Sequence, residues 1–196
     1  AYNVAVGAEA GAAVTTGVNN TIIGGLAGDA ATTAEAITAV GKGALSSNTT
    51  GNFNVAVGAI ALLDNTTGAS NVAVGLSALE NNTTASNNTA IGHESLKSNT
   101  TGTQNTAVGS IAGDALTVGS NNTVFGYGAL SSDTQGSKNT AIGSAALFAQ
   151  NFTSATNVYN TAVGDSAGAA VTTGIKNTII GGLAGDANTT GFNNTV

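Results

Sequence analysis

The chain has 196 residues, four lysines, no arginine, ten acidic residues and a net charge of -6. So few cations exclude the basic surface that nucleic-acid binding needs, and the absence of cysteine removes disulfides, thiolate metal sites and thiol catalysis together. Apolar residues make up 41% and charged ones only 7%, which is not a disordered composition, and no apolar run approaches a membrane span.

The first element, Asn3-Val4-Ala5-Val6-Gly7, sets a pattern that returns along the whole chain. Its closing glycine recurs at Gly24, Gly41, Gly58, Gly75, Gly92, Gly109, Gly126 and Gly143 in steps of 17 residues, then at Gly164 after 21 and at Gly181 after 17. Eleven units result, one with a four-residue insertion. A fixed period of this length decides the fold before any local reading, because a unit this small buries a core only by stacking on its neighbours.

Asn stands four residues before the glycine in every unit but one, where Ile37 replaces it. Thr or Val follows, then usually Ala, then a β-branched residue, with Phe125 the one aromatic there. The alternation predicts a three-residue strand. The most regular units give the structural repeat residues: Asn54, Val57 and Gly58; Asn71, Val74 and Gly75; Asn88, Ile91 and Gly92; Asn105, Val108 and Gly109.

Further along each unit comes Thr-Thr-Gly, as in Thr49-Thr50-Gly51 and Thr66-Thr67-Gly68. That glycine suits a corner, although Ala34 and Ala85 replace it twice. Two columns between the glycines are correlated. Where the fourth residue after the motif glycine is Leu (Leu45, Leu62, Leu79, Leu96), the seventh is Asn. Where the fourth is Gly (Gly11, Gly28, Gly113, Gly168), the seventh is apolar, and Gly185 with Asn188 is the exception. Cores hold roughly constant volume, so the two positions should touch within a coil.

The long unit spans 143–160, and its extra residues should bulge from one corner over a small core of Phe148, Phe152 and Tyr159. Near residue 160 a longer super-repeat begins again, since residues 160–187 almost repeat residues 3–30. Residues 1–196 therefore read as a single array, entered and left inside the pattern, and we expect a mature segment cut from a longer array or a protomer of a continuous fibre.

The fold class that follows is all-β: a parallel β-solenoid, or β-roll, of about eleven 17-residue coils. Coils stacked about 4.8 Å apart would make a rod of roughly 55 Å. With 28 glycines, no proline and aromatics at 4%, its core must be thin and built from small residues in columns.

The Asn-Thr-Ala-Val-Gly units resemble the head repeats of trimeric autotransporter adhesins, whose motif reads Asn-Ser-Val-Ala-Ile-Gly. The longer form, with Ala-Leu and then Asn-Thr-Thr-Gly, is similar to repeats of phage and bacterial tail-fibre-like proteins. The resemblance covers essentially the whole chain. It implies a left-handed β-roll, commonly a homotrimer, exposed at a cell or virion surface.

Residues that could carry chemistry are few. His93 is the only histidine and stands in a variable column beside Glu94, with no third group to complete a catalytic set. Asp29, Asp114 and Asp186 recur in Ala-Gly-Asp-Ala, one carboxylate per site, which is too few for tight Ca²⁺ binding. Asn-Thr-Thr is a glycosylation sequon, giving candidate acceptors at Asn48, Asn65, Asn82, Asn99 and Asn188. The row Thr15, Thr32, Thr49, Thr66, Thr83, Thr100, Thr117 and Thr134 invites an ice-binding reading. Its neighbouring Thr row would face the other way in an extended strand, and the better Thr-x-Thr signal is missing.

The sequence thus leads to a non-enzymatic structural and adhesive module of an extracellular fibre, surface adhesin or phage tail fibre, with no cofactor and no membrane insertion. Its expected partners are copies of itself, as a homotrimer or an end-to-end fibre, and a host-surface or glycan receptor met by variable positions such as Lys42, Leu76, His93, Ser110 and Tyr127. The alternative is a ligand-binding β-solenoid for ice, glycan or calcium.

Overall fold

The computed structural model describes residues 2–196, and among them it is all-β, with no helix. The strands are β1 (Val4–Val6), β2 (Thr21–Ile23), β3 (Thr38–Val40), β4 (Val55–Val57), β5 (Val72–Val74), β6 (Thr89–Ile91), β7 (Thr106–Val108), β8 (Thr123–Phe125), β9 (Gly136–Ser137), β10 (Thr140–Ile142), β11 (Thr156–Asn157), β12 (Thr161–Val163) and β13 (Thr178–Ile180). Eleven of them form one parallel sheet in the order β1 to β8, then β10, β12 and β13. The chain is a β-solenoid: each coil contributes one strand, and every strand pairs with the next without a register shift, from Val4↔Thr21 to Thr161↔Thr178.

Each strand is short because its ends are fixed chemically. Its β-branched residues favour the extended state. The closing glycine then adopts φ near +134°, as at Gly24, Gly41 and Gly92, a region side chains resist. Those glycines also stack on one another, and a Cβ on Gly58 would collide with the Gly75 carbonyl.

Beyond the glycine the backbone alternates in handedness. The second and fourth residues after it have positive φ in every coil, whether glycine or not, as at Ile60 (φ 52°) and Leu62 (φ 51°). Alternate N–H groups then point along the rod. Ile60 donates to the Lys42 carbonyl of the preceding coil and Leu62 to the Ala78 carbonyl of the following one, at 2.9 and 3.0 Å, while Asn65 closes a turn on Leu62 at 3.3 Å. A left-handed Leu costs about 1–2 kcal/mol, and the inter-coil bonds and complete burial of its side chain offset that cost. The Thr-Thr-Gly glycine, expected at a corner for its φ, has none of this freedom to supply. In the glycine coils it serves close approach, since a Cβ on Gly51 would collide with the Gly68 carbonyl, whereas Ala34 and Ala85 show that the column accommodates a methyl in two other coils.

The core is thin. The middle residue of each strand points inward, usually as Ala (Ala39, Ala56, Ala73, Ala90), and packs with the Ala and Leu columns, for example Ala61 with Leu62, all at 0% exposure. The fourth and seventh positions do share one volume: a Cβ on Gly113 would lie 3.1 Å from Leu116 Cδ1, and one on Gly11 3.4 Å from Val14 Cγ2. A third contributor explains the exception. In the coils of Gly28 and Gly185 the strand's middle residue is Ile22 or Ile179. A Cβ on Gly28 would meet Ile22 Cδ1 at 3.4 Å, and one on Gly185 would meet Ile179 Cγ2 at 3.2 Å.

Two columns of buried asparagine hold the coils in register. In the first, Asn71 Oδ1 accepts the Asn88 N–H at 3.0 Å while its Nδ2 donates to the Ala85 carbonyl at 2.9 Å, and the same pair of bonds repeats through Asn54, Asn88 and Asn105. In the second, Asn65 donates to Asn48, Asn82 to Asn65 and Asn99 to Asn82, at 2.7 to 3.0 Å. These amides pair otherwise orphaned backbone groups in the interior.

The four extra residues leave the main sheet undisturbed, since Thr140 still pairs with Thr161. They are absorbed where β9 and β11 form a two-stranded ribbon. Buried Asp133 anchors the bulge: Oδ1 accepts N–H bonds from Gly136 and Phe152 at 3.0 Å, and Oδ2 accepts from Gln150 Nε2 at 2.6 Å. The expected aromatic core is not there. Phe148 and Tyr159 are 46% and 48% exposed, Phe152 is half-buried, and the apolar residue under the bulge is Val158. Backbone pairing through Asp133 takes up the extra length, so no apolar filling is required.

Candidate functional site

With the middle residue of each strand turned inward, its first and third residues face outward along the whole sheet. The first is Thr in eight of eleven strands and Val in the others; the third is Val or Ile throughout, apart from Phe125. Neither row contains a charged residue. The third-residue row stays partly in water, with Ile23 at 38%, Ile91 at 40% and Phe125 at 39% exposure. The sequence expectations above do not include this face, although Thr-Ala-Val carries the signal: a buried Ala places both flanking residues outside.

The chain's Thr rows differ in what their hydroxyls do. In the Thr-Thr-Gly row, Thr49 Oγ1 donates to the Thr66 carbonyl at 3.0 Å, Thr66 to Thr83 and Thr100 to Thr117 at 3.1 Å, each to the next coil. That row is an internal ladder, so its hydroxyl protons are committed. Neither the main-sheet Thr residues nor the second Thr of Thr-Thr-Gly makes such a bond: the threonine hydroxyls hydrogen-bonded among the described residues belong to that ladder and to Thr156 of β11.

The candidate glycosylation sites fall in two environments. Asn48, Asn65, Asn82 and Asn99 are at 0% exposure, and their Nδ2 atoms donate to carbonyls of their own coil, as Asn65 does to Gly68 at 3.0 Å. The side-chain nitrogen that would carry a sugar faces the core, so these four cannot bear glycans in the folded coil. Asn188 is half-buried and its Oδ1 accepts the Gly191 N–H at 3.0 Å.

The variable column after the motif glycine lies outside. Lys42 and His93 are exposed, Leu76 and Tyr127 are 48% and 64% exposed, and Ser110 is half-buried. A charged group adjoins His93. Lys97 Nζ sits 2.7 Å from Glu94 Oε1 and 3.9 Å from Glu80 Oε2. The Lys97 hydrogen bond holds the Glu94 carboxyl below its ordinary value, and the same bond raises the Lys97 ammonium. Asp114 stacks one coil beyond Lys97, and burial pushes its carboxyl up. Asp29 lies five coils from Asp114 in the same column, and among the described residues no three acidic or histidine side chains come together as a metal site. Tyr159 has Lys138 Nζ 3.0 Å from its hydroxyl and 5.0 Å from its ring centre.

No protein-family model matches the chain, and no curated protein or solved structure is significantly similar to it.

Proposed function

We propose that the chain is a structural and adhesive rod module of an extracellular fibre, a surface adhesin or a phage tail fibre, exposed at a cell or virion surface. The observation that supports this reading is the unbroken register of eleven strands, backed by two asparagine columns and a threonine ladder. Load applied along such a rod is shared by many inter-coil hydrogen bonds at every level, while the exposed column of Lys42, Leu76, His93 and Tyr127 varies without touching the core. Receptor contact belongs to those positions, for a host-surface or glycan partner.

Pulling the chain by its two ends in a single-molecule force experiment tests the mechanical reading. The expected trace is a series of regular steps, each releasing one 17-residue coil and lengthening the chain by roughly 50–55 Å. Extension without measurable resistance would overturn it. Light scattering over a concentration series reads the assembly: a mass of three chains supports a homotrimer and a growing mass an end-to-end fibre.

A further inference from the structure

We propose that the outward face of the eleven-strand sheet binds ice. The face combines three properties. Its first-residue row carries hydroxyls with no bond to the protein, and each such hydroxyl can both donate and accept, as a lattice water does. Its third-residue row offers, apart from Phe125, only methyl-bearing side chains, and no charge interrupts either row to hold a disordered hydration shell. The third property is geometric. Groups repeat about every 4.8 Å along a row, and the rows lie about 6.7 Å apart, set by the strand spacing and two residues of rise. Sheets normally twist, and side-chain ladders are what hold them flat; the asparagine and threonine columns are such ladders.

The same regularity disfavours a protein as occupant. The rows offer nearly the same chemistry in every coil, so a docked protein could slip by one coil and find nearly the same contacts. A crystal lattice has that degeneracy itself. The face also measures only about 48 by 10 Å, roughly 500 Å², against about 800 Å² per partner in a standard protein interface. Phe125 is its one aromatic, which gives a crystalline polysaccharide little to stack on.

The ice-binding rows are therefore not the Thr-Thr-Gly rows that the sequence suggests. The first hydroxyl of each Thr-Thr-Gly is spent on the ladder and the second stands in a separate exposed row, whereas Thr-x-Val and Thr-x-Ile of the strands pair free hydroxyls with methyl groups on one face.

The test is ice growth in a nanolitre osmometer, with microcrystalline cellulose as a second solid. Thr106→Lys and Thr123→Lys place charge on adjacent rungs of the face, and Thr50→Lys places it on the exposed neighbour row. The unsubstituted chain should shape ice crystals and give thermal hysteresis. Thr106→Lys and Thr123→Lys should lose both while Thr50→Lys keeps them, all with unchanged circular dichroism. No hysteresis from the unsubstituted chain, equal loss in Thr50→Lys, retention on cellulose but not ice, or a trimer that shields the face would each overturn the proposal.

Discussion

A single position in this fold is judged by the column it stands in. Gly113 and Leu116 represent one solution to filling the coil, and Leu79 with Asn82 the other. Gly113→Leu alone would push a Cβ to 3.1 Å from Leu116 and 3.2 Å from Leu96, an overpacking that should cost about 1–3 kcal/mol. Leu116→Asn alone removes a buried side chain and should cost about 2–5 kcal/mol. The double variant restores the neighbouring coils' solution, and the amide it introduces in place of Leu116 can reach the Asn99 Oδ1, which is buried without a partner. It should recover part of the summed loss, a coupling of about 1–3 kcal/mol readable in denaturant melts of the three variants. Additive losses would show that the two positions are independent. Asp114 is the complementary case, a group that costs stability. Burial raises its folded value above the ordinary 3.8, so the stability tied to its protonated form is complete below pH 3.8 and is lost as pH rises through the raised value. Asp114→Asn should therefore melt higher than the parent at pH 7, and the two melting curves should converge in acid.

The strand and its flanking asparagine form the next unit. Asn71→Ala would strand the Asn88 N–H in the interior, at about 1–3 kcal/mol, although the Ala85 carbonyl keeps its 3.1 Å bond from Asn82; Thr67→Ala on the exposed row should stay within about 0.5 kcal/mol. Equal effects in thermal melts would deny the column its structural role. Ile37 shows how one gap is tolerated: the Gly51 carbonyl, which an asparagine at that position would reach, still accepts from Asn48 at 3.1 Å. At this scale the sequence reads well for strands and poorly for what joins them. Asn54, Val57 and Gly58 mark their strand because residues 17 apart repeat the same chemistry. The left-handed Leu62 and Ile60 carry no local signal, since neither residue favours that conformation and the choice is made by hydrogen bonds to the coils on either side. Asp133 is equally silent in sequence: only folding shows that a carboxylate in an asparagine column meets the N–H of Phe152, 19 residues on. The outward Thr-x-Val face was legible in principle, because burial of Ala56 or Ala90 dictates it.

The whole molecule behaves as a stack in which each coil knows only its neighbours. That makes the length of the rod a free variable and the register a strict one, and deletion separates the two. Removing residues 72–88 excises one full period, 17 residues. Val55–Val57 would then pair with Thr89–Ile91, Leu62 would pack on Leu96, and the amide of Asn99 would reach Asn65 in place of Asn82. Lys97 would lose the 3.9 Å contact to Glu80 but keep the 2.7 Å bond to Glu94, a small change for a partly exposed pair at that distance. Every column closes over the gap, so the shortened chain should keep its β circular dichroism and a cooperative melt only slightly lower than the parent's. Removing residues 72–87 instead, one residue fewer, takes 16 of the 34 positions from Gly58 to Gly92 and leaves 18, in a coil without the Asp133 bonds that anchor the longer unit at 143–164. At that one junction the extra residue must bulge from a corner with no such anchor or turn inward residues outward. That variant should melt below the full-period deletion. Equal stability of the two deletions would mean that the stacked columns do not hold the rod together.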